Sequence, residues 1–409
     1  MTHTHLLNFN AVAPASASEG YVLITGGAGF VGTNLAHRYL SSGKRVLIYD
    51  NLSRPGVEQN LAWLQAEHGD RLLVEIADMR DRQKLAAAVE NATAVFHLAA
   101  QVAVTTSLQD PLHDFEVNAR GTLNLLEALR LRGDPVPLVF TSTNKVYGDL
   151  ADLLLFERAT HYAPCDDLIE ASGISEEQPL NFHSPYGASK GAADQYVLDY
   201  AHTFGLPATV LRMSCIYGPH QFGTEDQGWV AHFLLCALNQ QPITIYGDGK
   251  QVRDILFVSD LVDVFVRAHQ SIDAMAGRAF NIGGGPKNTI SLLELLDFIE
   301  KLHGSAPAYT FACQRRADQR YYVSNTGQLE EVLHWRPQVD AFEGIAYLYD
   351  WLLHNRSNGA AKAAKDVDKG TLPVNGQGGV DAKEGAPARS APTALDQVVQ
   401  RYRKIEHAL

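Results

Sequence analysis

Residues Thr25–Gly32, TGGAGFVG, decide the fold class, because Gly26, Gly29 and Gly32 stand at the junction of two hydrophobic patterns. The preceding run, YVLITGG, is typical of a short apolar strand, and the following run, FVGTNLAHRYLSSG, of an amphipathic helix that ends at Gly43. Glycine permits a tight turn and the close approach of a diphosphate, while a helix N-terminus supplies free N–H groups and a positive dipole end. A glycine pattern alone is weak evidence for a binding site, but between a predicted strand and a predicted helix it indicates a dinucleotide-binding βαβ unit.

The next predicted strand, RVLIYD, ends in a carboxylate at Asp50, 18 residues after Gly32. A carboxylate there binds the adenosine ribose of a dinucleotide and repels a 2′-phosphate, which favours NAD over NADP. Arg54 follows closely and leaves that choice open, and Asp50 has a second interpretation as a turn residue. Asp78 and His97 also end predicted strands at the same sheet edge, where ligands gather in open α/β sheets. For His97 we expect a packed histidine rather than a catalytic one.

Strand and helix patterns alternate through the first half of the chain, which predicts parallel strands joined by helices. The expected fold class is therefore α/β, a Rossmann-type doubly wound parallel sheet with a smaller C-terminal substrate-binding lobe. We expect the sheet domain to span residues 19–213, with residues 251–280 returning to it. Residues 214–250 and 281–353, where the pattern is less regular, are expected to form the lobe.

The two ends of the chain lack the patterns of packed structure. Residues 1–18 have neither the charged region nor the long apolar region of a signal peptide, so we expect a flexible leader. Residues 354–392 are rich in Ala, Gly, Lys, Asp and Pro without aromatic residues, which predicts a disordered tail. Residues 393–409 carry apolar residues at helical spacing and are expected to form a terminal amphipathic helix, either loosely packed or binding a partner.

Composition excludes several classes of function. The chain has 409 residues, of which 46% are apolar and 20% charged, as is ordinary for a globular protein with a sizeable core. Its net charge of −12 gives no basis for binding nucleic acid, and no apolar run reaches the ~18 residues of a membrane helix. The four cysteines have no metal-binding spacing, so we expect no metal and reduced thiols in a cytoplasmic protein.

The segment SPYGASK places Tyr186 and Lys190 four residues apart on one face of a predicted helix. A phenol has a pKa near ~10, too high for a base at neutral pH, but nearby cations stabilise the phenolate. Such a tyrosine can take a proton from a substrate hydroxyl while hydride leaves the same carbon. This spacing is common by chance and gains weight from the glycine-rich unit that precedes it. Thr143, at the end of the run FTST, either faces Tyr186 and hydrogen-bonds the reacting oxygen or is only a β-branched strand residue.

Long motifs from residue 20 to about residue 353 carry a family resemblance. The chain resembles the extended branch of the short-chain dehydrogenase/reductase superfamily, the NAD-dependent nucleotide-sugar epimerases and dehydratases, in the motifs TGGAGFVG, HLAAQV, NARGTLNLLEA, SPYGASK, RMSCIYGP and GDGKQVRDILFVSDLVDV. Within that branch it is most similar to the CDP-paratose 2-epimerase family, also called CDP-tyvelose 2-epimerases, in DNLSRPGVEQNLAWL, STNKVYGDL, LNFHSPYGASKGAADQYVLDYA, DQGWV, GKQVRDIL and ADQR. These motifs are long and specific.

The resemblance implies NAD in the sheet domain, a nucleotide-diphosphate sugar in the lobe and a homo-oligomer, either a dimer or a tetramer. The catalytic residues that it implies are Thr143, Tyr186 and Lys190. The residues that it implies for substrate binding are Thr143, Asn144, Arg253 and Arg315. The residues that it implies for cofactor binding are Gly26, Gly29, Phe30, Val31, Gly32, Asp50, Asn51, Asp78, Met79, Leu98, Ala99, Ala100, Tyr186 and Lys190.

Asn144 and Lys145, directly after Thr143, bear on the type of reaction. In the family's 4,6-dehydratases acidic residues stand there and help to expel a sugar hydroxyl as water. An amide and an ammonium offer no carboxylic acid, so the resemblance implies an oxidation–reduction cycle without elimination. In that cycle Tyr186, with its pKa lowered by Lys190, removes the proton of the C2 hydroxyl. Hydride passes to NAD and returns to the other face of the 2-keto sugar.

Three functions stay open: a 2-epimerase, a 4-epimerase or other nucleotide-sugar oxidoreductase of the same superfamily, and a non-enzymatic NAD-sensing regulator. The intact set of Thr143, Tyr186 and Lys190 argues against the regulator. The long family segments favour the 2-epimerase over the 4-epimerase. For Arg253 and Arg315, the alternative to phosphate binding is an ion pair at the surface or between the lobes.

Overall fold

A computed structural model describes residues 20–368 except Arg316. The strands are β1 (Tyr21–Thr25), β2 (Val46–Asp50), β3 (Leu72–Ile76), β4 (Ala92–His97), β5 (Leu138–Thr143), β6 (Leu155–Glu157), β7 (Tyr162–Pro164), β8 (Ala208–Met213), β9 (Cys215–Tyr217), β10 (Ile243–Tyr246), β11 (Val252–Phe257), β12 (Ala279–Ile282), β13 (Thr289–Ser291), β14 (Tyr309–Ala312) and β15 (Tyr321–Tyr322).

The helices lie between these strands. They are α1 (Phe30–Ser41), α2 (Val57–His68), α3 (Arg82–Val89), α4 (Val104–Gln109), α5 (Pro111–Phe115), α6 (Gly121–Arg132), α7 (Asp167–Ser172), α8 (Pro185–Phe204), α9 (Trp229–Asn239), α10 (Val258–Gln270), α11 (Ile272–Met275), α12 (Leu292–His303), α13 (Gly327–Leu333) and α14 (Ala341–Asp368). A π-helical turn, Glu116–Arg120, joins α5 to α6, and short 3-10 turns span Gly69–Arg71, Asn144–Tyr147 and Pro286–Asn288.

Seven parallel strands form the central sheet, in the order β12-β8-β5-β4-β1-β2-β3. The chain runs outward from β1 to β3 and then outward again from β4 on the other side. The strand order therefore reverses between β1 and β4, and the crevice at their carboxyl ends is where doubly wound folds bind ligands. The predicted α/β fold class is confirmed.

Helices cover both faces of the sheet because its strands are apolar on both sides. Neighbouring residues of β1 show this: Ile24 packs into one apolar cluster with Leu35 of α1 and Phe265 of α10. Leu23 packs into the other cluster with Leu125 of α6. Both strand residues are fully buried. The strand that leads into the glycine-rich turn is thus fixed from both sides.

The remaining strands form small sheets outside the central one. One consists of β13, β11 and β15, with β9 also paired to β11; β10 pairs with β14, and β6 pairs with β7. The chain then returns to the sheet domain through α10, whose His269 hydrogen-bonds Tyr39 of α1, and through β12. β11, within the predicted returning segment, belongs to a small sheet instead. The exact domain boundaries stay a prediction.

The C-terminal part differs from the expectation. A disordered tail was predicted from residue 354, but α14 continues to Asp368. The Ala and Lys residues of this stretch, AAKAAK, have high helix propensity, so a helix forms here without aromatic residues. The predicted leader and terminal helix lie outside the described residues. Within the described part of the chain, no helix is long and apolar enough to cross a membrane, and no group of side chains is suited to hold a metal ion.

Candidate active site

The glycine-rich turn fits closely against the end of β4. Gly26 has a φ of +69°, and a Cβ atom there would lie 2.7 Å from the backbone nitrogen of Ala99. A Cβ atom on Gly32 would overlap the carbonyl oxygen of Gly26. The backbone N–H of Leu98 donates to the Thr25 carbonyl at 3.1 Å, which joins the β1 and β4 ends. Glycine is therefore required in this turn for close packing of backbone on backbone.

The N-terminus of α1 is suited to an anion. Gly29 is its N-cap residue and provides no side-chain cap, and Phe30 and Val31 open the helix without an acidic residue in the first turn. The first N–H groups of a helix lack partners within it and carry the positive end of the helix dipole. A side chain at Gly29 would meet only the Gly26 carbonyl oxygen, at 3.2 Å. The turn thus leaves room for a diphosphate to approach.

Asp50 lies against this turn. Its carboxylate accepts hydrogen bonds from the backbone N–H groups of Ala28, at 3.0 Å, and Leu52, at 2.9 Å. Burial raises the pKa of Asp50, and these two hydrogen bonds oppose the rise. The carboxylate is thus fixed beside the glycine-rich turn, where a dinucleotide would present its adenosine ribose.

The other predicted cofactor residues line the same sheet edge. Asn51 donates to the Asp78 carboxylate at 2.9 Å. Arg80 binds Asp78 through two nitrogens, and its hydrogen bonds hold the Asp78 pKa well below its usual range. Met79 is buried against Gly121. Ala99 donates to the Thr25 hydroxyl at 3.3 Å, and Ala100 follows it in the same loop.

His97 is a packed histidine, as predicted. Its Nδ1 lies 2.7 Å from the Thr25 hydroxyl and its Nε2 lies 2.9 Å from the Thr122 hydroxyl, so both ring nitrogens have partners. Burial, with a smaller effect of the Lys190 ammonium, lowers its pKa to about 3. A neutral imidazole with a hydrogen bond at each ring nitrogen stabilises the fold beneath the site.

Tyr186 and Lys190 lie on the first turns of α8. The helix begins where it does because Pro185 suits the first helical position and the Ser184 hydroxyl caps the N–H of Gly187 at 3.0 Å. This start places the two side chains over the end of β5, where Thr143 is the last strand residue.

The Tyr186 hydroxyl lies beside Thr143. Burial raises the pKa of Tyr186 to about 12; the Thr143 hydroxyl and the Arg54 guanidinium act against this, and Asp114 adds to it. Arg54 extends from the loop after β2 and also donates to Gln227. The sequence suggested Arg54 only as a factor in cofactor choice, whereas its cation also faces the phenol.

Lys190 is buried, and its ammonium donates to the Thr141 carbonyl at 2.6 Å and lies 4.3 Å from the centre of the Phe140 ring. Burial lowers its pKa to about 7, while Asp194 and Asp114 act against this. Here the groups that lower the Tyr186 pKa are Thr143 and Arg54. The predicted influence of Lys190 on that pKa stays a prediction.

Lys145 and Arg253 share one carboxylate. Asp318 accepts from the Lys145 ammonium at 3.2 Å and from the Arg253 guanidinium at 2.7 Å. Burial alone would raise the Asp318 pKa, but the two cations lower it to about 2. Lys145 also donates its backbone N–H to the Thr143 hydroxyl at 3.2 Å, which connects this ion cluster to the end of β5.

Asp318 was not identified from the sequence, although it stands three residues after Arg315 in an R-x-x-D spacing. That spacing was the available signal. Asn144 is buried between Thr143 and Gln319. Its side-chain amide accepts a hydrogen bond from the Thr143 hydroxyl at 3.4 Å and donates one to Gln319 at 3.5 Å.

Arg315 lies in a different set of contacts. Its guanidinium is 3.8 Å from the centre of the Tyr246 ring and pairs with Glu225 at 3.3 Å and Asp226 at 3.5 Å. Arg315 and Arg253 therefore both form ion pairs. The structure connects Arg253 to the end of β5 through Asp318 and Lys145, and it places Arg315 against the loop before α9.

Comparison with known proteins agrees with this site. The family model described as "NAD dependent epimerase/dehydratase family" matches residues 22–283. Over 337 residues the chain is 43% identical to the CDP-paratose 2-epimerase of Salmonella typhi, a match that covers 81% of this chain and 98% of that protein. It is 35% identical to the UDP-glucose 4-epimerase of Mycolicibacterium smegmatis, covering 79% of this chain and 96% of that protein.

Comparison with solved structures also finds a nucleotide-sugar epimerase. The UDP-glucuronic acid 4-epimerase of Bacillus cereus, in complex with UDP-glucuronic acid and NAD, superposes with a TM-score of 0.71 at 26% identity, covering 82% of this chain and 99% of that one. The glycine-rich turn, the Thr143–Tyr186 pair and these matches lead to one assignment. The chain belongs to the NAD dependent epimerase/dehydratase family.

Proposed function

We propose that this protein is an isomerase, an NAD-dependent epimerase that inverts C2 of a nucleotide-linked hexose of the CDP-paratose and CDP-tyvelose type. The observation that carries the proposal is the juxtaposition of Thr143, at the end of β5, with buried Tyr186 and Lys190 on the first turns of α8, at the sheet edge that holds the glycine-rich turn. The identity to a CDP-paratose 2-epimerase over nearly the whole of that protein supports the choice of C2.

The residues around the turn fit NAD. The free N–H groups at Phe30 and Val31 suit its diphosphate, and Asp50 suits its adenosine ribose. Asn51, Asp78, Met79 and the loop of residues 98–100 complete the wall of this crevice. When bound, NAD supplies both the acceptor and the donor of one hydride, so it is not consumed.

Tyr186 handles the proton in this proposal. Its hydroxyl oxygen takes the proton of the C2 hydroxyl as the sugar is oxidised and returns a proton as the 2-keto sugar is reduced on its other face. In this proposal Thr143 also forms a hydrogen bond with the oxygen of the sugar C2 hydroxyl and so holds it beside Tyr186. Because burial keeps the Tyr186 pKa near 12, the phenolate requires a cation nearby. The Arg54 guanidinium lowers this pKa, and the proposal gives the Lys190 ammonium the same effect.

The groups after Thr143 do not support elimination of water. Asn144 is a neutral amide, and Lys145 is bound to Asp318. Asp318 itself is held ionised by two cations, so it is a poor proton donor at neutral pH. None of these three residues therefore offers an acid that would release a sugar hydroxyl as water.

Two arginines are proposed to hold the nucleotide diphosphate. Arg253 and Arg315 carry planar guanidinium groups that bind phosphate through two nitrogens. Both now pair with carboxylates, so binding would require the phosphate oxygens to share or replace these partners.

We also propose that the protein forms a homo-oligomer. The four cysteines are unpaired, which supports a cytoplasmic location.

A 4-epimerase is the second candidate, supported by the identity to a UDP-glucose 4-epimerase. The same residues would serve there, with a different hydroxyl presented to Tyr186. Incubation with CDP-, GDP-, UDP- and dTDP-hexoses, followed by NMR, separates the two. A new epimer at C2 supports the proposal, inversion at C4 supports the second candidate, and no epimer from any substrate refutes both.

A further inference from the structure

A short turn before α9 carries the contacts of Arg315. The turn is closed by two backbone hydrogen bonds between Thr224 and Gln227, at 2.8 and 3.1 Å. Between them, Glu225 and Asp226 extend toward Arg315, which also donates to the Glu225 carbonyl oxygen at 3.1 Å. The two carboxylates are thus fixed by backbone and side-chain contacts.

Glu225 is the better-held of the two carboxylates. It accepts from the Tyr246 hydroxyl and from Arg315, whose guanidinium is stacked on the Tyr246 ring at 3.8 Å. This places a carboxylate at the edge of a stack in which the guanidinium covers one face of the aromatic ring. The outer face of a guanidinium plane or of an aromatic ring can stack a nucleobase. Two of the four lone-pair positions of the Glu225 carboxylate stay unused, and the side chain is 45% exposed, so a ligand can reach it.

The charge of this cluster is unexpected for a site that binds only phosphate. Glu225 and Asp226 carry two negative charges against the single positive charge of Arg315, and a diphosphate is itself an anion. Carboxylates there weaken phosphate binding. A carboxylate at the edge of a stacking surface favours a ligand that presents hydrogen-bond donors, and an exocyclic amino group is such a donor.

Resting on the proposed function, in which Arg315 holds the diphosphate, we propose that Glu225 is a specificity-determining residue for the base. Its carboxylate accepts a hydrogen bond from the N4 amino group of cytosine, with the base against Tyr246 and Arg315. Uracil and thymine present O4, an acceptor, at the same position, and two acceptors repel each other. Glu225 thus selects cytidine nucleotides over uridine and thymidine nucleotides.

The test measures the dissociation constants of CDP and UDP by calorimetry, with full-length protein and with Glu225→Gln and Asp226→Asn. Glutamine is nearly the same size, and its amide can donate to uracil O4. Both substitutions remove one negative charge, which changes the binding of both diphosphates alike. The ratio of the two dissociation constants therefore isolates recognition of the base. Melting temperatures verify that each variant is folded.

We expect wild type to bind CDP about 10-fold or more tightly than UDP. Glu225→Gln should lose most of that ratio, and Asp226→Asn should keep it within about twofold. Equal binding of CDP and UDP by wild type, or an unchanged ratio in Glu225→Gln, overturns the role of Glu225 and leaves the proposed function intact. Failure of both nucleotides to bind refutes the nucleotide site itself, and with it this inference.

Discussion

Asp318 forms ion pairs with two cations near the end of β5, and replacing it by Asn should destabilise the fold measurably. Its side chain is 26% exposed and carries the ion pairs of both Lys145 and Arg253. The difference between an ordinary pKa of 3.8 and about 2 in the folded protein corresponds to roughly 2 kcal/mol. We expect Asp318→Asn to lower the free energy of unfolding by about that amount at pH 7, because two cations lose their counter-charge.

The sign of the pH dependence follows from the lowered pKa. A carboxylate whose pKa is depressed on folding stabilises the protein above its unfolded pKa, near ~4, and this stabilisation is lost as the pH falls to about 2. Urea unfolding monitored by tryptophan fluorescence, at pH 7 and at steps below pH 4, measures it. The gap between wild type and Asp318→Asn should close across that interval.

The matched control is Asp263→Asn, which breaks an ion pair with Arg267 one helical turn away. Both partners are more than a third exposed, so the loss should be about 0.5 kcal/mol or less. If Asp318→Asn costs no more than this control, or if its cost is the same at pH 7 and pH 3, the ion cluster does not stabilise the fold as described.

Three further predictions concern the cofactor and the acid–base residue. Tyr186→Phe should lower turnover by on the order of 10²-fold or more while NAD stays bound, and near-normal turnover would remove Tyr186 from the mechanism. Nucleotide extracted from the purified protein should be NAD(H), because Asp50 repels a 2′-phosphate; mostly NADP(H) would disprove that role. Gly32→Ala should abolish NAD retention, because its Cβ would overlap the Gly26 carbonyl oxygen, and a variant that copurifies with normal amounts of NAD would contradict this packing.

Local sequence patterns were sufficient to predict the central sheet and its glycine-rich turn. The apolar residues of β1 and the G-x-x-G-x-x-G spacing act over a few neighbouring residues, so they are visible in the chain itself. The spacing of Tyr186 and Lys190 is equally local, since one helix turn brings them to the same face. Thr143 could be added because a strand that ends in a parallel sheet presents its last residues at the ligand edge.

Contacts between distant segments could not be derived in this way. Asp318 pairs with Lys145, 173 residues before it, and nothing near either residue indicates the other. Arg54 donates to Gln227, a contact between residues that are also 173 positions apart. The extent of α14 was missed for a different reason. The composition predicted disorder, whereas α14 extends to Asp368 through Ala and Lys residues of high helix propensity.

The central claim is that hydride leaves and returns to the same carbon, C2, within one site. Removal of a proton next to a carbonyl is the other route to inversion, and it needs a carbonyl on a carbon next to C2, which a nucleotide sugar lacks, and a base on each face. Tyr186 is the one base that the catalytic motif provides. Turnover of a substrate deuterated at C2 should therefore keep its label, and turnover in heavy water should add none. Deuterium from solvent at C2 of the product would contradict the account.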